Sequence, residues 1–277
     1  MKVSVRMDVS DILREWNIRT KNKQASVEWW NSMSGGFGER PIPSFAKDEF
    51  LQLLERRQML NENSDVLDVG CGAGRYAISI ASKAKTVIGI DLSPRMIESA
   101  NRRAADLRVK NVRFDIADWH DFDVKKQGFE KKFDLVFAHM TPAIQSYETF
   151  KKLSDCSRGW CVMVKPIKRT ETVYDEILGI IGIDKKFHLG DSDILNGFAL
   201  LFMQGCYPMI EYSRKRSEIK HPVEDAVNIY ISRTKLMHDL TVEQENKIRD
   251  YLYSIEDHGL INTVMDTITA TLYWQTQ

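Results

Sequence analysis

The stretch Val66-Leu67-Asp68-Val69-Gly70-Cys71-Gly72-Ala73-Gly74-Arg75 constrains the fold more than any other feature of the chain. A short apolar run, three alternating glycines and a periodic apolar stretch read in turn as strand, tight turn and helix. Glycine tolerates left-handed backbone and lets a ligand approach the main chain, while a helix N-terminus offers free amide donors carrying partial positive charge. Asp91 ends the next apolar run, 21 residues after Gly70, where an acidic side chain can accept hydrogen bonds from a ribose diol. The combination predicts a nucleotide-like ligand. The dinucleotide fingerprint wants a small residue at its sixth position, where this chain has Arg75, which disfavours nicotinamide cofactors.

Strands and helices alternate around this turn. Apolar runs at Val66 to Val69, Thr86 to Ile90, Val112 to Ile116, Phe133 to Phe137 and Trp160 to Lys165 predict strands. Between them, Arg75 to Lys83 is helical, and Ser93 caps a helix with Pro94 in its first turn. Met96, Ile97, Ala100, Ala104 and Leu107 then form its apolar face. Parallel strands joined by helices predict a doubly wound α/β core, a mostly parallel sheet with helices on both faces. Ahead of it, the sequence predicts a helix, a bend at Ser34-Gly35-Gly36-Phe37-Gly38, and after Pro41 and Pro43 a second helix from Phe45 to Leu60. Beyond Lys165, helices are expected near Val173 to Ile181, Asp193 to Met203, Val223 to Leu236 and Val242 to Asp257, with a basic strand at Met209 to Lys220. The alternating Thr267 to Trp274 segment predicts a last strand. The expected organisation is one domain over 1–277, with a helical cap (1–61), a ligand-binding core (62–165) and an elaboration on the substrate side (166–277).

Composition narrows the function. The 39 acidic and 39 basic residues of this 277-residue chain cancel, so no whole-molecule field draws it towards nucleic acid or an anionic membrane. Cys71, Cys156, Cys161 and Cys206 lack the spacing of a zinc or redox site and are expected as reduced thiols, mostly in the core. The opening residues hold no apolar stretch of signal-peptide length, and the longest apolar run, Phe198 to Met203, is too short for a bilayer, so the expected location is cytoplasmic.

The ordered segments DVGCGAGR, IGIDLSPRMI, FDIADWHDF and FDLVFAHM, covering Val66 to Lys165, resemble the motif series of class I S-adenosylmethionine-dependent methyltransferases. The resemblance implies a seven-stranded sheet whose last strand is antiparallel, and S-adenosylmethionine as cofactor with S-adenosylhomocysteine as product. It implies that Asp68 orients the methionine end, and that Gly70, Cys71, Gly72 and Gly74 form the loop beneath it. Asp91 would bind the ribose hydroxyls, with Leu92 and Met96 as apolar neighbours of the adenine. Asp118 would accept from the adenine amino group, with Trp119 beside the ring. His139 and Met140 would lie where the methionine portion meets the acceptor, with His139 as candidate general base. Trp29, Trp30 and Phe37 are candidates to close over the cofactor.

The acceptor is less constrained. Ala138-His139-Met140-Thr141-Pro142 departs from the Asp/Asn-Pro-Pro-aromatic run of the family's nucleobase-amine enzymes, and no acidic cluster stands there for magnesium. Phe187, His188, Phe198, Phe202, Met203 and Tyr207 are candidates to line an apolar pocket, so a small organic acceptor is expected. Arg214-Lys215-Arg216 with Lys220 keeps an acidic substrate or RNA open, and an RNA or protein acceptor remains an alternative. A domain that binds the cofactor without turnover, as scaffold or sensor, is another.

Overall fold

The computed structural model describes residues 9–16, 23–183, 192–235 and 238–276. Ten helices and seven strands are seen among the described residues. In chain order they are α1 (Val9–Glu15), α2 (Lys23–Glu39), α3 (Glu49–Arg56), β1 (Asp65–Val69), α4 (Arg75–Ile80), β2 (Thr86–Asp91), α5 (Pro94–Asp106), β3 (Val112–Ile116) and β4 (Phe133–His139). The chain continues through α6 (Tyr147–Cys156), β5 (Ser157–Glu171), α7 (Thr172–Ile180), α8 (Ser192–Met203), β6 (Met209–Pro222), α9 (Val223–Lys235), α10 (Val242–Ser254) and β7 (Leu260–Gln275).

The strands form one seven-stranded sheet in the order β3-β2-β1-β4-β5-β7-β6, six parallel and the last antiparallel. β1 pairs with β2 on one side and β4 on the other, both parallel, so the winding reverses between β1 and β4. In doubly wound sheets the crevice beyond the carboxyl ends of such a strand pair is where ligands collect. Val66, Leu67 and Val69 are completely buried, as expected of a central strand covered on both faces.

Two compact units make up the chain. The first comprises residues 1–165, 192–211 and 270–277; the second, 166–191 and 212–269. The first holds a core in which Leu51, Leu54, Val66, Ala77, Ile80, Leu135, Phe137 and Val162 are fully buried. The second is built on Ile177, Ala226, Tyr230, Ile248, Leu252 and Ile261. Inside it the buried carboxylate of Glu171 accepts from the Tyr230 hydroxyl at 2.6 Å and pairs with Arg233. Its basic strand is solvated: Arg214, Lys215, Arg216 and Lys220 are exposed, and Arg214 pairs with Asp266.

Local structure departs from expectation in several places. α2 runs unbroken through Ser34–Gly38, where a bend was predicted. α3 is shorter than the predicted Phe45 to Leu60 helix, and starts where Asp48 accepts from the amides of Phe50 and Leu51. Leu107 does not extend the apolar face of α5; it caps the helix and is 54% exposed. α6, which the apolar pattern did not reveal, opens on a capping box between Ser146 and Thr149. Cys156 and Cys161 are buried, Cys71 and Cys206 half-buried, and all four are free thiols.

Candidate active site

The turn after β1 is shaped by three glycines, all in left-handed backbone with φ of +71° at Gly70, +54° at Gly72 and +74° at Gly74. The amides of Gly70 and Cys71 both donate to the carbonyl of Ile90, at 2.8 and 3.0 Å, tying the loop to the end of β2. A methyl group added at Gly70 would stand 2.0 Å from the Thr141 hydroxyl, in the loop that follows β4. One added at Gly74 would stand 2.6 Å from the Phe114 ring. At Gly72 an added Cβ would meet nothing within 4 Å among the described residues, so the backbone there is uncrowded.

Two carboxylates converge below that opening. Asp91 accepts from the Gly72 amide through Oδ2 and from the Ser93 amide through Oδ1, both at 2.9 Å. Burial raises its pKa against the lowering effect of those amides. Asp68 is 3% exposed, and burial, with the nearby charge of Asp91, pushes its pKa well above the ordinary carboxylate range. The Ala77 amide in α4 opposes that shift. Two desolvated acids beside an open glycine backbone suit a ligand that brings several hydrogen-bond donors and positive charge. Cys71 shares the loop, but its sulfur packs against β2, where a Cβ at Gly89 would lie 2.9 Å from it, and burial raises its thiol pKa. Its backbone, rather than its thiol, belongs to the site.

The other predicted residues separate into open and buried groups. Leu92 is half-buried, whereas Met96 is 1% exposed on the inner face of α5. Asp118 accepts from the His120 amide at 2.9 Å and forms an ion pair with Lys23, which also pairs with Asp121. Trp119 is 3% exposed, stacks on Phe122 and donates its indole N–H to the Thr149 carbonyl at 2.9 Å. Its ring thus belongs to the core rather than to an open wall. Phe187 and His188 lie outside the described residues.

His139, at the end of β4, lies between aromatic rings, with centroids 4.0 Å from Tyr76 and 4.9 Å from Phe50. Burial and, secondarily, the charge of Arg75 lower its pKa to about 3, so the imidazole is neutral throughout the physiological range. Met140, next in the chain, has φ of +54°. Tyr76 donates to Asp48 at 3.1 Å, joining α4 to the cap of α3.

Sequence reasoning missed several residues around this site. Asn31 of α2 accepts from the Ser93 hydroxyl at 2.7 Å, and Arg103 of α5 donates to the carbonyls of Ala73 and Arg40 at 3.2 and 2.6 Å. Trp29, Trp30 and Phe37 are half-buried on α2, with Trp30 and Phe37 edge to face. Tyr76 carried a signal, being in the first turn of the helix after the glycine loop; Asn31, Lys23 and Phe50 carried none. No group of three or more acidic, histidine or cysteine side chains able to hold a metal is found among the described residues.

A glycine loop and two acids at the switch point of a sheet with six parallel strands and an antiparallel last strand define the Rossmann-like fold of class I methyltransferases. The chain belongs to the methyltransferase domain family, whose model matches residues 60–198. Among its relatives is 2-heptyl-1-hydroxyquinolin-4(1H)-one methyltransferase of Mycobacteroides abscessus, 34% identical over 94 residues. That match covers 34% of this chain and 40% of the relative, so the chain spans less than half the length of that protein. In fold the chain is similar to the YcgJ protein of Bacillus subtilis, with a TM-score of 0.53, 16% identity, and coverage of 82% of this chain and 97% of the other. It is also similar to the [4+2]-cyclase SpnF, with a TM-score of 0.52, 14% identity, and coverage of 94% and 98%. Fold alone therefore does not fix the reaction.

Proposed function

We propose that the protein transfers the methyl group of S-adenosylmethionine to a small organic acceptor. The carrying observation is the pair of acids, the buried Asp68 and the half-buried Asp91, beside the open backbone of Gly72. Asp91 and the half-buried Leu92 would hold the nucleoside, with Asp118 near its base, and Asp68 with the loop Gly70–Gly74 would hold the methionine end. The bound cofactor supplies an activated methyl group on a sulfonium. What the chain then has to supply is alignment and exclusion of water.

The environment of His139 narrows the acceptor class. A pKa of about 3 makes it a weak base, so it orients and packs rather than removing a proton from a reluctant acid. An acceptor whose nucleophilic atom is already ionised, or has a free lone pair, near neutral pH suits such a site. The relative's name specifies a hydroxyl on a ring nitrogen of the quinolone it methylates.

Calorimetry should show S-adenosylhomocysteine binding and no NAD binding, and Asp91→Ala should weaken the former by about 10- to 100-fold, as expected for lost hydrogen bonds to a charged acceptor. Labelled S-adenosylmethionine offered with a metabolite extract and with 2-heptyl-1-hydroxyquinolin-4(1H)-one should yield a labelled small product. Its rate should be flat between pH 5.5 and 8.5 so far as His139 governs it, because the imidazole does not titrate there. Binding of NAD in place of S-adenosylhomocysteine would remove the proposal; cofactor binding with no labelled product from any source would favour a sensor.

A further inference from the structure

The loop between β4 and α6 forms the wall of the site nearest the glycine turn, and it is held from both sides. On one side Thr141 packs so closely on Gly70 that no side chain fits between them. On the other, the Met140 amide donates to the Val164 carbonyl of β5 at 2.9 Å, and β5 pairs Val164 with His139. The next residue of β5 is Lys165. Its ammonium donates to the Ile144 carbonyl at 2.7 Å and to Asp193 Oδ2 at 3.1 Å, with side-chain exposures of only 5% and 1% for the ion pair. Asp193, near the start of α8, accepts through its other oxygen from the Trp16 indole N–H at 2.6 Å.

A buried ion pair is an expensive way to fill space, and well-packed apolar residues of similar volume are often equal or better for stability. What an apolar pair lacks is a donor for Ile144. Inside the loop, Gln145 donates to the Pro142 carbonyl at 2.6 Å and Thr141 accepts from the Ala143 amide at 3.2 Å, so an anchor at Ile144 is transmitted to Thr141. Met140 takes the left-handed backbone that a side chain rarely adopts, a conformation that persists only where its surroundings impose it.

We propose that Lys165 and Asp193 are positioning residues for methyl transfer: by holding the Ile144 carbonyl they fix the loop 140–145 against the glycine turn, where acceptor and cofactor meet. The proposal rests on the methyl-transfer reading above. Asp193 sets the Lys165 ammonium in place, and Trp16 sets Asp193, so α1 contributes to the same arrangement.

The test compares the wild type with the double variant Lys165→Met with Asp193→Leu, which removes both charges together. Melting temperature, S-adenosylhomocysteine affinity by calorimetry, and hydrogen exchange of peptides spanning 140–146 are measured on each. The expected result is a folded protein with affinity close to wild type and a lowered melting temperature, because the Trp16 indole N–H and the Ile144 carbonyl lose their partners, with exchange in 140–146 at least tenfold faster and methyl transfer to the identified acceptor at least tenfold slower in kcat. Unchanged exchange in a folded double variant would overturn the proposal. Should that variant not fold, Lys165→Arg, which keeps charge and donor, is set against Asp193→Asn. Near-wild-type exchange in the first and at least threefold faster exchange in the second supports the proposal, and equal exchange in both overturns it. A wild type that fails to bind S-adenosylhomocysteine would instead refute the cofactor reading, a result read before any variant is made.

Discussion

Two glycine-rich stretches of similar length have opposite structures. In Gly70-Cys71-Gly72-Ala73-Gly74 every glycine has positive φ and the chain turns sharply from strand to helix. In Gly35-Gly36-Phe37-Gly38 every glycine is helical and α2 continues straight through. The difference lies in what surrounds each stretch. The first is fixed by β1 before it, by two amides on the Ile90 carbonyl and by side chains that crowd Gly70 and Gly74. The second lies along α5, where Gly38 approaches Ser99 and the Arg103 guanidinium donates to the Phe37 and Arg40 carbonyls. Glycine permits a turn; the neighbours decide whether one forms.

The largest test of this contrast is Gly70→Ala. The new methyl would require left-handed backbone, about 1–2 kcal/mol, and displacement of Thr141, whose hydroxyl would be 2.0 Å away. Overpacking of that kind costs about 1–3 kcal/mol more, so a loss of roughly 2–5 kcal/mol and of S-adenosylhomocysteine binding is expected. Chemical denaturation and calorimetry read both. A variant with wild-type stability would mean that the loop adopts another path and that its positive φ is not required.

Gly38→Ala should have a smaller effect. Its backbone is helical, so no dihedral penalty arises, but the methyl would stand 2.6 Å from the Ser99 hydroxyl. That oxygen is buried with no partner among the described residues, and a serine rotamer can change, so a cost of about 1 kcal/mol is expected from overpacking partly relieved. Because α2 and α5 meet there, the cofactor affinity should fall a few-fold. Loss of folding would indicate that the α2–α5 packing is as unforgiving as the loop.

The same contrast explains which parts of the molecule could be read from sequence. The loop was legible because its signal is local: strand, glycines, helix and Asp91 at a fixed distance all specify one geometry. The doubly wound architecture followed from the alternation of apolar runs. α2 was not legible, because each glycine costs a helix about 1 kcal/mol and only packing on a helix some sixty residues away offsets it. α6 escaped because its Ser146 cap is answered by Thr149 rather than by the usual acidic or amide residue. The lowered pKa of His139 had no local signal, because its first cause is burial, in a setting where the rings of Phe50 and Tyr76, distant in the chain, lie against it. Trp119 fits the motif by position, yet the direction of its ring is decided by Phe122 and the Thr149 carbonyl. Lys165 and Asp193, 28 residues apart and in different elements, have no sequence pattern that joins them.

The smallest effect, with the opposite sign, belongs to Gly36. It lies inside α2, is exposed, has helical backbone, and an added Cβ would meet nothing within 4 Å among the described residues. Alanine there forms no new contact in the folded protein, but it restricts the unfolded chain, and alanine exceeds glycine in helix propensity by about 0.8–1 kcal/mol. Gly36→Ala should therefore stabilise the protein by roughly 0.4–1 kcal/mol and raise the melting temperature by about 1–4 °C. S-adenosylhomocysteine affinity should stay within twofold of wild type. Gly35→Ala, also exposed and equally uncrowded, should behave alike, and the two gains should nearly add unless the neighbouring methyls interact. Destabilisation by either change would mean that the glycines are needed for a conformation other than the continuous helix, and the contrast between the two stretches would collapse into the turn that their sequence first suggests.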